Sequence, residues 1–100
     1  MKHDKIIALL PLKNEAWILK TYLSSISSVA DEIIILDDGS TDDSISIALE
    51  NEKVQVFSTK DYIEDWKTPD FSKRRSCLLE LGRKSGGTHF IWLDTDEVFS

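Results

Sequence analysis

Ile33-Ile34-Ile35-Leu36-Asp37-Asp38-Gly39-Ser40-Thr41-Asp42 runs from an unbroken apolar stretch straight into a polar turn. Four apolar residues with no polar residue between them suit a strand buried on both faces, the pattern of parallel sheets covered by helices. Asp38-Gly39 is a turn pair, and Ser40, Thr41 and Asp42 offer N-caps for a short helix with Ile45, Ala48 and Leu49 on one face. Upstream, residues 6–10 form a second such run, Ile-Ile-Ala-Leu-Leu, ended by Pro11. A helix is then expected from Glu15, capped by Asn14, with Trp17, Leu19, Tyr22, Leu23, Ile26 and Val29 at helical spacing. Downstream, residues 53–57 read as a third strand through Val54 and Val56. Residues 58–70 form a loop rich in acids and aromatics and stopped by Pro69; its Tyr62 and Trp66 are able to cover a ligand. A helix is expected over 71–85 with Phe71, Leu78 and Leu81 on its buried side, closed by Gly86-Gly87, and residues 89–93 read as the fourth strand.

Strands alternating with helices predict an α/β, Rossmann-like fold. About four parallel strands are expected in the order βαβαβαβ, with helices on both faces. In the usual winding, strand one lies between strands two and four, and the loops after all three open on one edge of the sheet. Strands two and four are then about 10 Å apart. Two acidic clusters, Asp37-Asp38 and Asp94-Thr95-Asp96, end those strands and share one crevice, the place where ligands bind in such sheets.

The chain has 100 residues, 41% hydrophobic and 30% charged, with three Trp. This is the composition of a globular domain and not of a disordered tail. The formal charge of −6 argues against a general nucleic-acid binder, which needs a basic face for the phosphates. An acidic protein still binds an anionic nucleotide when a divalent cation stands between them. Cys77 is the only cysteine, which rules out an internal disulfide and suits a reducing cytoplasm. The first apolar run is too short to span a membrane and lacks a cleavage site. Because the chain stops soon after the fourth strand, residues 1–100 are expected to form a single nucleotide-binding domain cut from a longer protein.

Each cluster has a local explanation beside a functional one. Asp37 to Asp42 can be a turn with helix caps, or one carboxylate at the strand end can accept a hydrogen bond from a nucleobase. Uracil presents N3–H there whereas cytosine presents a lone pair, and a buried carboxylate facing cytosine loses its partner. Asp94-Thr95-Asp96-Glu97 can be a solvated acidic turn. However, Asp94 and Asp96 point to one side in extended chain, and crowded carboxylates repel unless a cation compensates. Oxygen ligands with no His or Cys nearby suit Mg²⁺ or Mn²⁺ bridging substrate phosphates. Lys73-Arg74-Arg75 opens the third helix, either as a solvated face or as an anion site at a helix N-terminus. Lys13 follows the first strand and is placed to line the same crevice. His3 and His89 have no ligand spacing. No nucleophile elbow, P-loop or glycine-rich dinucleotide fingerprint occurs.

Pro11-Leu12-Lys13-Asn14-Glu15, the run into Asp37-Asp38-Gly39-Ser40-Thr41-Asp42, and Leu93-Asp94-Thr95-Asp96-Glu97 together resemble the family 2 glycosyltransferases of the GT-A fold. The likeness is to their nucleotide-binding half. Asp70-Phe71-Ser72-Lys73-Arg74-Arg75 is similar to the branch that includes lipopolysaccharide-core glucosyltransferases. The resemblance implies a hexosyltransferase of cell-envelope polysaccharide synthesis that transfers a sugar, with inversion, from a UDP-linked donor to a glycan or lipid-linked acceptor. It implies Asp38 as the reader of uracil N3–H, with Pro11, Lys13 and Glu15 in the loop around base and ribose. Asp94 and Asp96 match the DxD motif, Asp96 as metal ligand and Asp94 nearer the ribose and diphosphate. Arg75 matches an arginine commonly followed by Asn, where Ser76 stands here. The catalytic base is expected beyond Ser100, so this piece is expected to bind donor without turnover. The expected location is cytoplasmic, peripheral at the inner membrane face in a longer protein.

Two other readings compete. Residues 90–98 also resemble the first motif of haloacid-dehalogenase-type phosphatases, with Asp94 as nucleophile and Asp96 as acid/base. That motif normally opens its domain, and it leaves residues 37–42 unexplained. The third reading is a non-catalytic nucleotide-binding module.

Overall fold

The computed structural model describes residues 4–68 and 70–93. Four strands, β1 (Ile6–Leu12), β2 (Glu32–Asp37), β3 (Val54–Ser58) and β4 (His89–Trp92), alternate with three helices, α1 (Ala16–Ile26), α2 (Ser44–Leu49) and α3 (Phe71–Lys84). The sheet order is β3-β2-β1-β4 and every pairing is parallel. β1 therefore sits between β2 and β4, as the sequence predicted.

Side-chain alternation along the buried strands makes two cores. Ala8, Leu10, Leu12, Ile33 and Ile35 face α1 and α2 through Leu19, Leu23 and Ala48. Ile7, Leu9, Ile34 and Leu36 face α3 through Leu78 and Leu81. Each face is apolar because each is covered, which is why the strands carry no polar alternation. α3 lies close to the sheet at Gly82, where an added Cβ would stand 2.6 Å from the Phe90 ring and 3.3 Å from Leu9.

Several local expectations are corrected. β1 continues through Pro11 to Leu12, with Pro11 paired to Leu36. The carbonyls of Ile6 and Leu12 accept from the β2 side, and those of Lys5 and Leu9 from the β4 side. Pro11 has the parity of the second pair, so its missing N–H falls on the β4 side, past the last bond from Leu93, where proline is tolerated. Trp17 is 71% exposed, and α1 buries Ile18 in its place. Leu49 and Phe71 are exposed as well. On α3 the buried position is taken by Arg74.

Asn14 does not cap α1. It adopts φ +49°, and the N-cap is Glu15, with no side-chain cap bond. The Ala16 N–H is met instead by Asp42 Oδ2 from the loop after β2, at 3.2 Å. The cap therefore comes from another element, which no local sequence rule could name.

Candidate functional site

The loops after β1 and β2 are stitched into one surface at the carboxyl edge of the sheet. Asn14 Oδ1 accepts from the backbone of Thr41 at 2.6 Å and Asp42 at 3.2 Å, and the Asn14 N–H donates to Ser40 Oγ at 2.9 Å. Glu15 N–H donates to Ser44 Oγ at 3.0 Å. Ser44 in turn donates through N–H and hydroxyl to Asp42 Oδ1. The Ser44 hydroxyl holds the exposed Asp42 carboxyl below its ordinary value of 3.8 despite some opposing desolvation.

The adjacent aspartates have different duties. Asp37 is 4% exposed, and its Oδ2 accepts from the N–H groups of Gly39 and Ser40 at 3.2 and 3.1 Å. Its carbonyl accepts from Thr59 Oγ1 at 3.1 Å. It holds the turn shut, with Gly39 supplying a φ of +91° that other residues rarely adopt. Its Oδ1 is buried and takes no bond from the described residues. Asp38 is turned outward and meets Arg74, whose Nη2 and Nε both donate to Asp38 Oδ1, at 2.8 and 3.1 Å. Arg74 also donates to the carbonyls of Trp66, Thr68 and Asp70.

The basic triplet is therefore not one anion site. Lys73 pairs with Asp65 at 2.7 Å. That bond lowers the Asp65 carboxyl and raises the Lys73 ammonium from their ordinary values. Arg74 is buried on Asp38. Arg75 lays its guanidinium 4.4 Å over the Trp92 ring at the end of β4, the geometry of a cation–π contact. The N-terminus of α3 is capped by Asp70, whose side chain accepts from the Lys73 N–H at 3.2 Å.

Two cavities flank this arrangement. One of about 230 Å³ is lined by Pro11, Phe71, Arg74, Arg75, Leu78, Trp92 and Leu93. The other, about 530 Å³, has Asp37, Asp38, Ser40, Thr59, Tyr62 and Trp66 in its wall and has the size of a small-ligand pocket. Pro11, Asp38 and Arg75, all named from the sequence, thus gather around Arg74, and Tyr62 and Trp66 line the cavity at Asp38. Lys13 is exposed and Glu15 half-buried at the start of α1; neither lines these two cavities. Asp94 and Asp96 lie outside the described residues. Among the described residues no three His, Cys, Asp or Glu side chains converge as a metal site. Arg74 was missed as a separate residue because a triplet of basic residues carries no periodicity of its own. Its one signal was its place on the α3 face shared with Leu78 and Leu81, at i, i+4 and i+7.

Comparisons with known proteins identify the family and the fold. The sequence profile described as Glycosyl transferase family 2 matches residues 8–100. Among solved structures, the chain is similar to glucosyl-3-phosphoglycerate synthase from Mycobacterium tuberculosis in complex with UDP. That match has 25% identity and a TM-score of 0.65, and it covers 95% of this chain and 35% of that one. The same enzyme with Mn²⁺, UDP and glucosyl-3-phosphoglycerate matches at 25% identity and TM-score 0.63, over 92% of this chain and 33% of that one. Its complex with Mg²⁺ and UDP matches with the same four values. The chain thus spans about a third of the length of the solved chains it matches. No curated protein sequence matches. The reading of residues 90–98 as the opening motif of a phosphatase loses its support, since they follow three strands of the sheet. The fold is the Rossmann-like α/β fold of the GT-A type, and the chain belongs to glycosyl transferase family 2.

Proposed function

We propose that this chain is the donor-binding part, residues 1–100, of a longer glycosyltransferase that uses a UDP-linked sugar with Mg²⁺ or Mn²⁺. The observation that carries the reading is Asp38, held at the carboxyl edge of the sheet with both Arg74 bonds on Oδ1. Its Oδ2 takes no bond from the described residues, and it borders a cavity of about 530 Å³. A carboxylate so placed accepts the uracil N3–H and opposes the lone pair of cytosine. The buried Asp37 Oδ1 in the same wall also calls for a donor. The UDP complexes of the mycobacterial relative support the choice of nucleotide.

Pro11 at the end of β1 lines the smaller cavity. With Lys13 and Glu15, which follow it at the same edge, it is assigned to base and ribose in this reading, and Arg75 stands over Trp92 of β4 on the way to the diphosphate. Asp96, with Asp94, is the metal-holding pair; two carboxylates without His or Cys are the donor set that Mg²⁺ and Mn²⁺ prefer. When bound, the ion supplies the positive charge that a departing diphosphate needs. Transfer of a hexosyl group with inversion needs a further carboxylate to take the acceptor proton from the opposite face. That base is assigned beyond Ser100, so this piece binds donor and does not turn over. The acceptor is a glycan or lipid-linked sugar, as in cell-envelope polysaccharide synthesis, and the enzyme works from the cytoplasmic side. No helix among the described residues is long and apolar enough to cross a membrane.

Thermal unfolding with UDP and Mn²⁺ tests the reading. Ligand at about 100 times its Kd adds about 2.7 kcal/mol, which raises Tm by roughly 10 °C or more for a domain of this size. Asp38→Ala and Asp96→Asn are each expected to abolish the rise. A rise with fluoroberyllate and none with UDP would point to the phosphatase reading and overturn this one. Detectable sugar transfer by the isolated chain would refute its assignment as a donor-binding piece.

A further inference from the structure

Arg74 is 8% exposed, and each of the five N–H donors of its guanidinium is used. Two go to one oxygen of Asp38 and three to the carbonyls of Trp66, Thr68 and Asp70. A saturated buried arginine is costly to reorganise, so these partners hold one geometry together. Trp66 belongs to the wall of the cavity at Asp38, and Arg74 itself lines the cavity of Pro11 and Arg75.

We propose that Arg74 is a positioning residue for nucleobase recognition, a lock that fixes the plane of the Asp38 carboxylate and ties it to the loop residues Trp66, Thr68 and Asp70. The proposal rests on Asp38 as the base acceptor and names what orients it. With Oδ1 doubly bonded, Oδ2 is the oxygen presented to the base, and the carboxylate cannot rotate without breaking the fork. Because the same guanidinium grips the loop, the wall of the base cavity and its reading atom form one unit. A lysine keeps the charge but offers a point donor in place of the planar fork. It is therefore expected to hold Asp38 without holding the loop.

The test combines calorimetric titration of UDP and of CDP, each with Mn²⁺, and amide exchange in the nucleotide-free chain. The variants are R74K, R74M and D38A. In R74M and D38A the amides of residues 66–68 and 70 are expected to exchange about tenfold faster than in the wild type. The preference for UDP over CDP is expected to fall about tenfold in R74M and to recover in part in R74K. A purely structural arginine would change stability and leave the base preference alone. Should R74M fail to fold, R74K decides the matter: its preference is expected to fall at least about threefold, and an unchanged preference overturns the proposal. If the wild type binds UDP while exchange and preference ignore Arg74, the lock is wrong and the nucleotide reading stands. If the wild type binds neither nucleotide while loop exchange responds to D38A, the nucleotide reading is wrong, and with it the recognition role of Arg74.

Discussion

Three consecutive basic residues, Lys73, Arg74 and Arg75, end in three environments: a solvent-exposed pair with Asp65, a buried fork on Asp38, and a stack on Trp92. A helix turns about 100° per residue, so neighbours in sequence never share a direction. The same scale explains Asn14, whose left-handed φ and short side chain let it accept two N–H groups of the neighbouring loop. Asn14→Ala loses both bonds and keeps the strained backbone, and is expected to cost about 2 kcal/mol. Asn14→Asp retains an acceptor and should cost less than about 1 kcal/mol. Urea unfolding checks both, and equal costs would mean that the bonds contribute nothing.

Among the elements, α3 does most to set the site, because it carries Arg74 and Arg75 on one end while Leu78, Leu81 and Gly82 anchor it to the sheet. Its close approach depends on Gly82. Gly82→Ala gains about 1 kcal/mol of helix propensity, but the new methyl meets the Phe90 ring at 2.6 Å. Overpacking typically costs about 1–3 kcal/mol, so the net expectation is a loss of about 1 kcal/mol. The UDP affinity is expected to weaken with it as α3 shifts outward. A stabilised variant would show that Phe90 moves aside freely. Amphipathic spacing predicted α1 and α3 well and still placed Trp17 and Phe71 inside. A helix face has soft borders, and which border residue is covered depends on what lies opposite.

Across the whole molecule, the two edges of the sheet differ. At the amino edge Lys5 pairs with Glu32 at 2.9 Å, Gln55 donates to Glu32, and Lys53 donates to the carbonyls of Ser27 and Ala30. At the carboxyl edge the turns are held by carboxylates, and the cavities at Asp38 and Pro11 open there. Asp42 and Asp65 both have folded pKa values below 3.8. Their contribution to stability is thus present above that value and is lost as pH falls through the folded values. The urea midpoint is expected to fall below pH 3.8, and to fall less in Asp42→Asn. A midpoint with the same pH dependence in that variant would remove Asp42 from the account.

The buried-strand runs, the βαβ alternation and the acidic turn after β2 were legible from the sequence. Burial on both faces leaves an unmixed apolar signature, and strand order follows from the crossover rule. The place of Asp38 at the carboxyl edge was legible for the same reason: the end of a central strand is a position that chain order alone defines. The partners of these residues were not legible. Arg74 meets Asp38 across 36 positions, and Asp42 caps α1 across 26. Such contacts depend on how two loops and a helix converge after the sheet has formed. Local patterns record which face of an element is buried, but the pairing of polar groups at the sheet's edge is a property of the packed whole.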